Sequence, residues 1–114
     1  GRKKFIILDA AMNDLMRPAL YGAFHRTLPV IKSNKISNKP YEFVGPICES
    51  TDKFIFLKKF QKLKEKDLIA ICDVGAYGMS LSSNYNLRPK PIELLIKGSK
   101  INVIRKRQKH TEII

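Results

Sequence analysis

The segment RPALY, which begins at Arg17, holds residue types that can bind an anion. Pro18 suits the first turn of a helix and disfavours helical geometry at the residue before it, so we expect Arg17 in non-helical backbone just before a helix. An arginine beside free helical N–H groups suits a carboxylate, because two carboxylate oxygens match the guanidinium fork. Tyr21 follows one turn later and can donate its hydroxyl to the same anion. The alternative is that Arg17 pairs with Asp9 or Asp14 and that the tyrosine packs in the core.

A thiol and a carboxylate stand side by side at Cys48 and Glu49, just after Gly45-Pro46. The apolar pattern predicts a strand from Tyr41 to Cys48, interrupted at the Gly-Pro pair, so both side chains can project from the edge of a sheet. The Glu49 carboxylate favours the protonated thiol, and Cys48 can therefore serve as a proton donor. No histidine is close enough in sequence to make this cysteine a nucleophile. The alternative is a buried cysteine at a strand end.

Tyr77 lies between Gly75 and Gly78, which allow the backbone to bend sharply and leave the ring open to a ligand. Its phenol can bond a phosphate or the edge of a cofactor. The segment lacks the GxxxxGK[ST] pattern, so it is not a P-loop. The alternative is an ordinary turn residue. Four further residues are not expected in the site. His25 and His110 are expected to be structural or solvated, Cys72 to lie in the core, and Arg88 to anchor a loop.

Apolar runs separated by turn residues predict strands along most of the chain. The predicted strands lie at residues 5–8, 41–48 and 68–74, and a hairpin that turns at Gly98-Ser99 covers residues 91–107. The strand at 68–74 is expected to be buried. Polar stretches predict loops at residues 32–40 and 80–91.

Two segments favour short helices. One begins at Pro18 and places Leu20, Phe24 and Leu28 on one apolar face. The other segment is marked by a helical spacing of Phe56, Leu57, Phe60 and Leu63, although its residues 54–57 fit a strand equally well. About five strands with one or two short helices favour a mainly β barrel or sandwich, rather than a βαβ unit, in a single domain.

The composition excludes several classes of protein. A hydrophobic content of 44% excludes a disordered basic tail, and no apolar run approaches the ~20 residues of a membrane span or follows the pattern of a signal peptide. The net charge of +12 comes mainly from lysines in predicted loops, which is typical of a solvated surface rather than of a nucleic-acid site. Two cysteines fit reduced thiols in the cytoplasm, and no metal site is predicted. Because residue 1 is glycine, we expect further chain before it.

Four blocks resemble, in order and spacing, the C-terminal part of the PLP-dependent ornithine, diaminopimelate and arginine decarboxylases, and diaminopimelate decarboxylase in particular. The blocks are FIILDAAMNDLMRPALYGA, FVGPICES, DLIAICDVGAYGMSLSSNYN and RPKPIELLIKG, and the resemblance runs from Phe5 to Arg107. It implies an alanine-racemase-like fold in which residues 1–114 form a C-terminal β-barrel of Greek-key type. This barrel packs on an N-terminal (β/α)₈ barrel, which binds most of the pyridoxal 5′-phosphate (PLP) and is absent from these residues. The active site then lies between the subunits of a homodimer.

The resemblance also implies roles for the candidate residues. Arg17 and Tyr21 match residues that hold the distal carboxylate of the substrate. Cys48 and Glu49 match a pair offered across the dimer interface, with the thiol near the reacting carbon and the carboxylate near the distal ammonium group. Tyr77 matches a tyrosine that contacts cofactor and substrate. A Cys-Glu pair favours diaminopimelate over ornithine, since the ornithine enzymes carry Cys-Asp.

The activity implied is the decarboxylation of meso-2,6-diaminopimelate to L-lysine and CO₂ in lysine biosynthesis. The chain by itself is expected to be inactive, because the lysine that anchors PLP belongs to the absent barrel. Two other interpretations remain open at this point: a regulatory or interaction protein without catalysis, and a basic β-barrel that binds nucleic acid.

Overall fold

The structure, a computed structural model, describes residues 2–114. This part of the chain is mainly β, as predicted, with one short α-helix. The elements in chain order are β1 (Lys4–Ile7), α1 (Arg17–Tyr21), β2 (Thr27–Pro29), β3 (Tyr41–Val44), β4 (Lys53–Leu57), β5 (Ile69–Ile71), β6 (Glu93–Lys97) and β7 (Lys100–Arg105). Single 3-10 turns cover Met79–Leu81, Tyr85–Leu87 and His110–Glu112. Over the described residues, no helix is both long and apolar enough to cross a membrane.

The strands form three small sheets. β3 lies at the centre of the largest sheet, where it pairs in parallel with β1 and antiparallel with β4. β2 and β5 form an antiparallel pair, and β6 and β7 form the predicted hairpin, which turns at Gly98 with a left-handed φ of 61°. Within residues 2–114 these sheets do not join into a closed barrel. The parallel pairing of β1 with β3 was not predicted, since an apolar pattern marks a strand but not its partner.

The core covers one face of the central sheet. Tyr41 and Phe43 of β3 are almost completely buried and pack with Phe60, with ring centroids 5.2 to 6.2 Å apart. The Tyr41 hydroxyl accepts a hydrogen bond from the Leu63 N–H at 3.0 Å, which satisfies its polar end inside the core. Leu15 joins the same cluster from the loop before α1. The core therefore anchors the segment that carries Arg17.

The predicted apolar face of the helix does not form. Gly22 takes a left-handed φ of 63°, and its N–H bonds to the carbonyl oxygens of Arg17 and Pro18, so α1 ends at Tyr21. Beyond this cap the chain has no helical structure before β2 begins at Thr27, and Phe24 is 74% exposed. The prediction was wrong because a glycine in the left-handed region ends a helix even where the apolar spacing continues.

Two predicted strands also have different limits. β3 ends at Val44, so Cys48 lies in a loop rather than at a strand end. β5 is shorter than predicted and only half-buried, and Leu68 before it is exposed. The segment that fitted either a strand or a helix is strand β4, and the helical alternative was wrong. β4 is a strand because β3 offers it a free edge, which no local spacing can reveal.

Candidate functional site

Arg17 is the first residue of α1. The expectation that it precedes the helix in non-helical backbone was wrong by one residue, but it does lie at the N-terminal end. A helix of five residues has little macrodipole, and Pro18 removes one of its free N–H groups. The guanidinium itself, rather than the end of the helix, is therefore the feature that can bind an anion.

The Arg17 guanidinium is held by two neutral side chains. Its Cζ atom lies 4.8 Å from the centroid of the Tyr77 ring, and its Nη1 atom lies 3.5 Å from Nε2 of His25. Over residues 2–114 it makes no ion pair with a carboxylate. The alternative pairing with Asp9 or Asp14 was wrong, since Asp14 lies beside Arg88 instead. Most of the donors of Arg17 remain available, and its charge is not neutralised by the protein.

His25 orients this guanidinium. The imidazole is 4% exposed, and its Nδ1 atom lies 3.0 Å from the carbonyl oxygen of Cys72. Because a carbonyl oxygen only accepts, we assign the hydrogen to Nδ1, which leaves the Nε2 lone pair facing Arg17. The expected structural role of this histidine is confirmed. Cys72, expected in the core, is only half-buried.

Tyr77 and Tyr21 both face solvent near Arg17. Tyr77 is 53% exposed and sits in a tight turn in which the Val74 carbonyl accepts the N–H groups of Tyr77 and Gly78. A Cβ atom on Gly78 would lie 2.9 Å from that carbonyl oxygen, so glycine is needed for the close approach. Tyr21 is 67% exposed, one turn after Arg17 on the same face of α1. The alternative that it packs in the core was wrong.

Cys48 and Glu49 are both exposed on the loop between β3 and β4. The loop is shaped by Asp52, which is 2% exposed. Its carboxylate accepts hydrogen bonds from the N–H groups of Met12, at 2.7 Å, and Ile47, at 2.9 Å. A Cβ atom on Gly45 would overlap that carboxylate, so the glycine makes room for the contact. Asp52 therefore ties the thiol-bearing loop to the loop that leads to α1.

The Glu49 carboxylate has one side-chain partner in the described structure, the hydroxyl of Tyr85, which donates a short hydrogen bond to Oε1. This hydrogen bond, and then the negative charge of Glu49, raise the pKa of Tyr85 above its ordinary value. The sequence reasoning missed Tyr85, because nothing in the local pattern connects it with a residue 36 positions away.

Buried polar contacts attach the segment that carries Tyr77 and Tyr85 to the loop before α1. Asn13 is fully buried, and its side chain donates to the carbonyl of Ser83 at 3.1 Å and accepts from Nε of Arg88 at 2.9 Å. Arg88 also donates to the carbonyl of Asp9 at 2.6 Å. Its expected role as a loop anchor is confirmed. Three loops thus form one rigid support for the candidate residues.

The candidate residues form two groups. One holds Arg17, Tyr21 and Tyr77, and the other holds Cys48 and Glu49. Over residues 2–114, no hydrogen bond or ion pair joins a side chain of one group to a side chain of the other. The first group can bind an anion, and the second offers a thiol and an anion to a cationic ligand.

A family model described as "Pyridoxal-dependent decarboxylase, C-terminal sheet domain" matches residues 1–75. The chain belongs to this family. The resemblance inferred from the four sequence blocks is thereby confirmed.

This decarboxylase sheet domain is similar over its whole length to diaminopimelate decarboxylases. It is 42% identical over 114 residues to the enzyme of Archaeoglobus fulgidus, and the match covers 100% of this chain and 27% of that protein. It is 47% identical over 106 residues to the enzyme of Helicobacter pylori, covering 93% of this chain and 26% of that protein. The chain thus spans about a quarter of the length of the curated relatives that it matches.

Solved structures agree with these relatives. The sheet domain superposes on diaminopimelate decarboxylase from Helicobacter pylori complexed with L-lysine with a TM-score of 0.88 at 47% identity, covering 97% of this chain and 27% of that one. It superposes on the diaminopimelate decarboxylase from M. jannaschii in co-complex with L-lysine with a TM-score of 0.91 at 36% identity, covering 97% and 25%. A lysine decarboxylase from Selenomonas ruminantium shares the fold, with a TM-score of 0.64 at 22% identity over 77% of this chain and 23% of that one.

Proposed function

We propose that this chain is the C-terminal domain, residues 1–114, of a diaminopimelate decarboxylase, which converts meso-2,6-diaminopimelate to L-lysine and CO₂ in lysine biosynthesis in the cytoplasm. The observation that carries the proposal is the Arg17 guanidinium, which is oriented by an aromatic ring and a neutral imidazole but not neutralised by a carboxylate. Such a cation suits the carboxylate of a ligand. The identity of 38% to 47% with enzymes of this name supports the same assignment.

The two groups of side chains complement the two charged groups at the distal stereocentre of this substrate, its carboxylate and its ammonium group. Arg17 receives the distal carboxylate in its fork, and the Tyr21 hydroxyl on the same helix face adds a hydrogen bond. Glu49 receives the distal ammonium group, whose charge is opposite to its own. The resemblance implies that each site takes the Cys48–Glu49 pair from the second subunit of a homodimer, and the lack of a hydrogen bond or ion pair between the two groups over residues 2–114 fits this arrangement.

The residues present fit PLP as the cofactor. Tyr77 is half-exposed with the Arg17 cation over its ring, and its hydroxyl can donate a hydrogen bond to a phosphate-bearing anion. When bound, PLP supplies a conjugated ring that takes up the electron pair left as CO₂ departs. Tyr77 would hold the cofactor from this domain, while the N-terminal barrel of the same protein supplies most of its contacts, including the anchoring lysine.

The surface of the domain supports the N-terminal barrel and the second subunit as partners. A cleft of about 1090 Å³ separates β1 from the segment that leads into β5. Each of these strands pairs on one edge only, and the side chains of Phe5 and Ile7 on β1 are exposed. The radius of gyration of 15.1 Å exceeds the roughly 13 Å typical of a chain this size. Strands from the remainder of the protein would close the Greek-key barrel across this cleft.

The test of the function uses the complete protein with PLP and meso-diaminopimelate. Release of CO₂ with formation of L-lysine is expected, and ornithine is expected to be a poor substrate because it lacks the distal carboxylate. Equal turnover of ornithine, or no turnover of diaminopimelate by a protein that has bound PLP, would contradict the proposal.

Cys48 is proposed to donate a proton to the α-carbon of the substrate once CO₂ has left. Replacing Cys48 with alanine in the complete enzyme is expected to lower kcat by about a hundredfold, because a positioned proton donor contributes on this order. Steady-state turnover of diaminopimelate measures the loss. Cys72→Ala is the matched control, since this second free thiol is half-buried and directly follows β5 rather than lying in the loop of Glu49. Unchanged kcat in Cys48→Ala would remove the thiol from the mechanism.

A further inference from the structure

We propose that Tyr85 is a positioning residue that fixes the Glu49 carboxylate for recognition of the ammonium group at the distal stereocentre of the substrate. The inference deepens the proposed function and rests on it. Tyr85 does not itself touch the substrate in this scheme. Its hydroxyl selects the orientation in which Glu49 meets the cation.

The first observation is the state of the carboxylate. Glu49 makes no ion pair over residues 2–114, where the acidic residues that do are Asp14, Glu42 and Glu93. Its partner is the neutral hydroxyl of Tyr85. A lysine in that place would cancel the charge, whereas a phenol leaves it intact for a cationic ligand. A carboxylate that is oriented by a hydroxyl and keeps its charge fits recognition of an amine.

The second observation is the capacity that the hydrogen bond leaves. A carboxylate has about four acceptor positions on its two oxygens. Tyr85 uses one position on Oε1, so Oε2 and its lone pairs stay free for an ammonium group. A glutamate on an exposed loop otherwise samples several rotamers, and a ligand would have to order it on binding. The contact with Tyr85 removes that requirement in advance, which strengthens binding of the ligand.

The third observation is the rigid mount of Tyr85. Its N–H lies 3.3 Å from Oγ of Ser83, whose backbone is bonded to the buried Asn13. The next two residues, Asn86 and Leu87, both take a left-handed φ, at 61° and 56°. Leucine rarely adopts this conformation, and such strain persists where the surrounding structure enforces it. The backbone therefore bends at a cost, and the bend follows directly after the tyrosine that reaches Glu49.

The hydroxyl remains a donor in the working pH range of an enzyme. The hydrogen bond to Glu49 and the charge of that carboxylate raise the pKa of Tyr85, so the phenol stays protonated. Removing the negative charge with Glu49→Gln is expected to bring this pKa back toward its ordinary value. Titration by NMR of ring-labelled tyrosine in the complete protein measures it, with the Tyr85 signal assigned by its loss in Tyr85→Phe.

The kinetic test replaces Tyr85 with phenylalanine in the complete enzyme, which deletes the hydroxyl and keeps the ring. The KM for meso-diaminopimelate is expected to rise about tenfold, the effect of one hydrogen bond to a charged group, while kcat changes less than about threefold. For a substrate analogue that lacks the distal amine, the KM is expected to be the same in Tyr85→Phe as in the wild type. Tyr41→Phe is the matched control, because it deletes a hydroxyl that serves the core and leaves Glu49 untouched.

A double-mutant cycle separates positioning from an independent effect. With Glu49→Gln already present, adding Tyr85→Phe is expected to cost no more than about twofold, because the hydroxyl acts only through the carboxylate. A full tenfold loss on that background, or an equal loss with the analogue, would overturn the inference. If the wild-type enzyme does not decarboxylate diaminopimelate, the proposed function fails instead. The titration then still decides whether Tyr85 and Glu49 interact. If Glu49→Gln left the pKa of Tyr85 unchanged, the interaction would be refuted.

Discussion

Replacing Arg17 with alanine in the complete decarboxylase is expected to lower kcat/KM for meso-diaminopimelate by about a thousandfold, or about 4 kcal/mol of transition-state stabilisation. The guanidinium is the one cation placed between the Tyr77 ring and the His25 imidazole in the described structure. Without it, the distal carboxylate of the substrate would enter the site with no charged partner. Steady-state kinetics with diaminopimelate and with ornithine, which lacks that carboxylate, measure the effect. The preference for the diacid over the monoacid is expected to fall.

Two variants control this experiment. Arg26→Ala removes an exposed arginine from the neighbouring segment and is expected to leave the kinetics unchanged. Arg17→Lys keeps the charge but loses the planar fork, and its kcat/KM is expected to lie between those of the wild type and the alanine variant. If Arg17→Ala reduced the two substrates equally, with the fold intact by thermal unfolding, the assignment of the distal carboxylate to Arg17 would be wrong.

Replacing Asp52 with alanine is expected to destabilise the domain locally by about 4 kcal/mol. The carboxylate is 2% exposed and is the acceptor for the N–H groups of Met12 and Ile47. Each buried donor left unpaired costs about 1–3 kcal/mol, and a small cavity adds to the sum. Hydrogen exchange of these two amides in the complete protein reports the local free energy of opening. Faster exchange is expected at both sites, together with a lower activity, since the loop of Cys48 and Glu49 loses its support.

Asp67→Ala is the matched control for Asp52. Asp67 also accepts a backbone N–H, that of Lys64 at 2.9 Å, but in an exposed turn where water replaces the carboxylate. Its loss is expected to cost less than about 1 kcal/mol. Gly45→Ala gives a second approach, because the new methyl group would collide with the Asp52 carboxylate. If the amides of Met12 and Ile47 exchanged at similar rates in Asp52→Ala and Asp67→Ala, the role of Asp52 as the buried link between the two loops would be contradicted.

The sequence was most informative where a function depends on residue type and short spacing. Arg17 and Tyr21 are one helical turn apart, and Pro18 marks the start of that helix, so their common face follows from local geometry. The hairpin of β6 and β7 was found in the same way, because a glycine in a left-handed turn between two apolar runs is a local property. The mainly β class followed from the number of such runs.

The sequence failed where the outcome depended on a distant segment. Cys48 was expected at a sheet edge, but β3 ends earlier, and the loop takes its form from Asp52, whose donors are Ile47 in the same loop and Met12 in the loop before α1. Phe24 was expected on a helix face, and one left-handed glycine ended the helix first. In both positions a specific tertiary or backbone contact overrode an apolar pattern that was itself correctly identified.

The sequence alone supplied the candidate residues, an arginine, a thiol, its neighbouring carboxylate and two tyrosines, together with the family to which the chain belongs. Their environment was decided only by the tertiary structure. A neutral imidazole and an aromatic ring hold Arg17, and a phenol 36 residues away holds Glu49. The physical reason is that charge type is a property of one residue, whereas orientation and unpaired charge depend on which side chains the folded backbone places within a few ångströms.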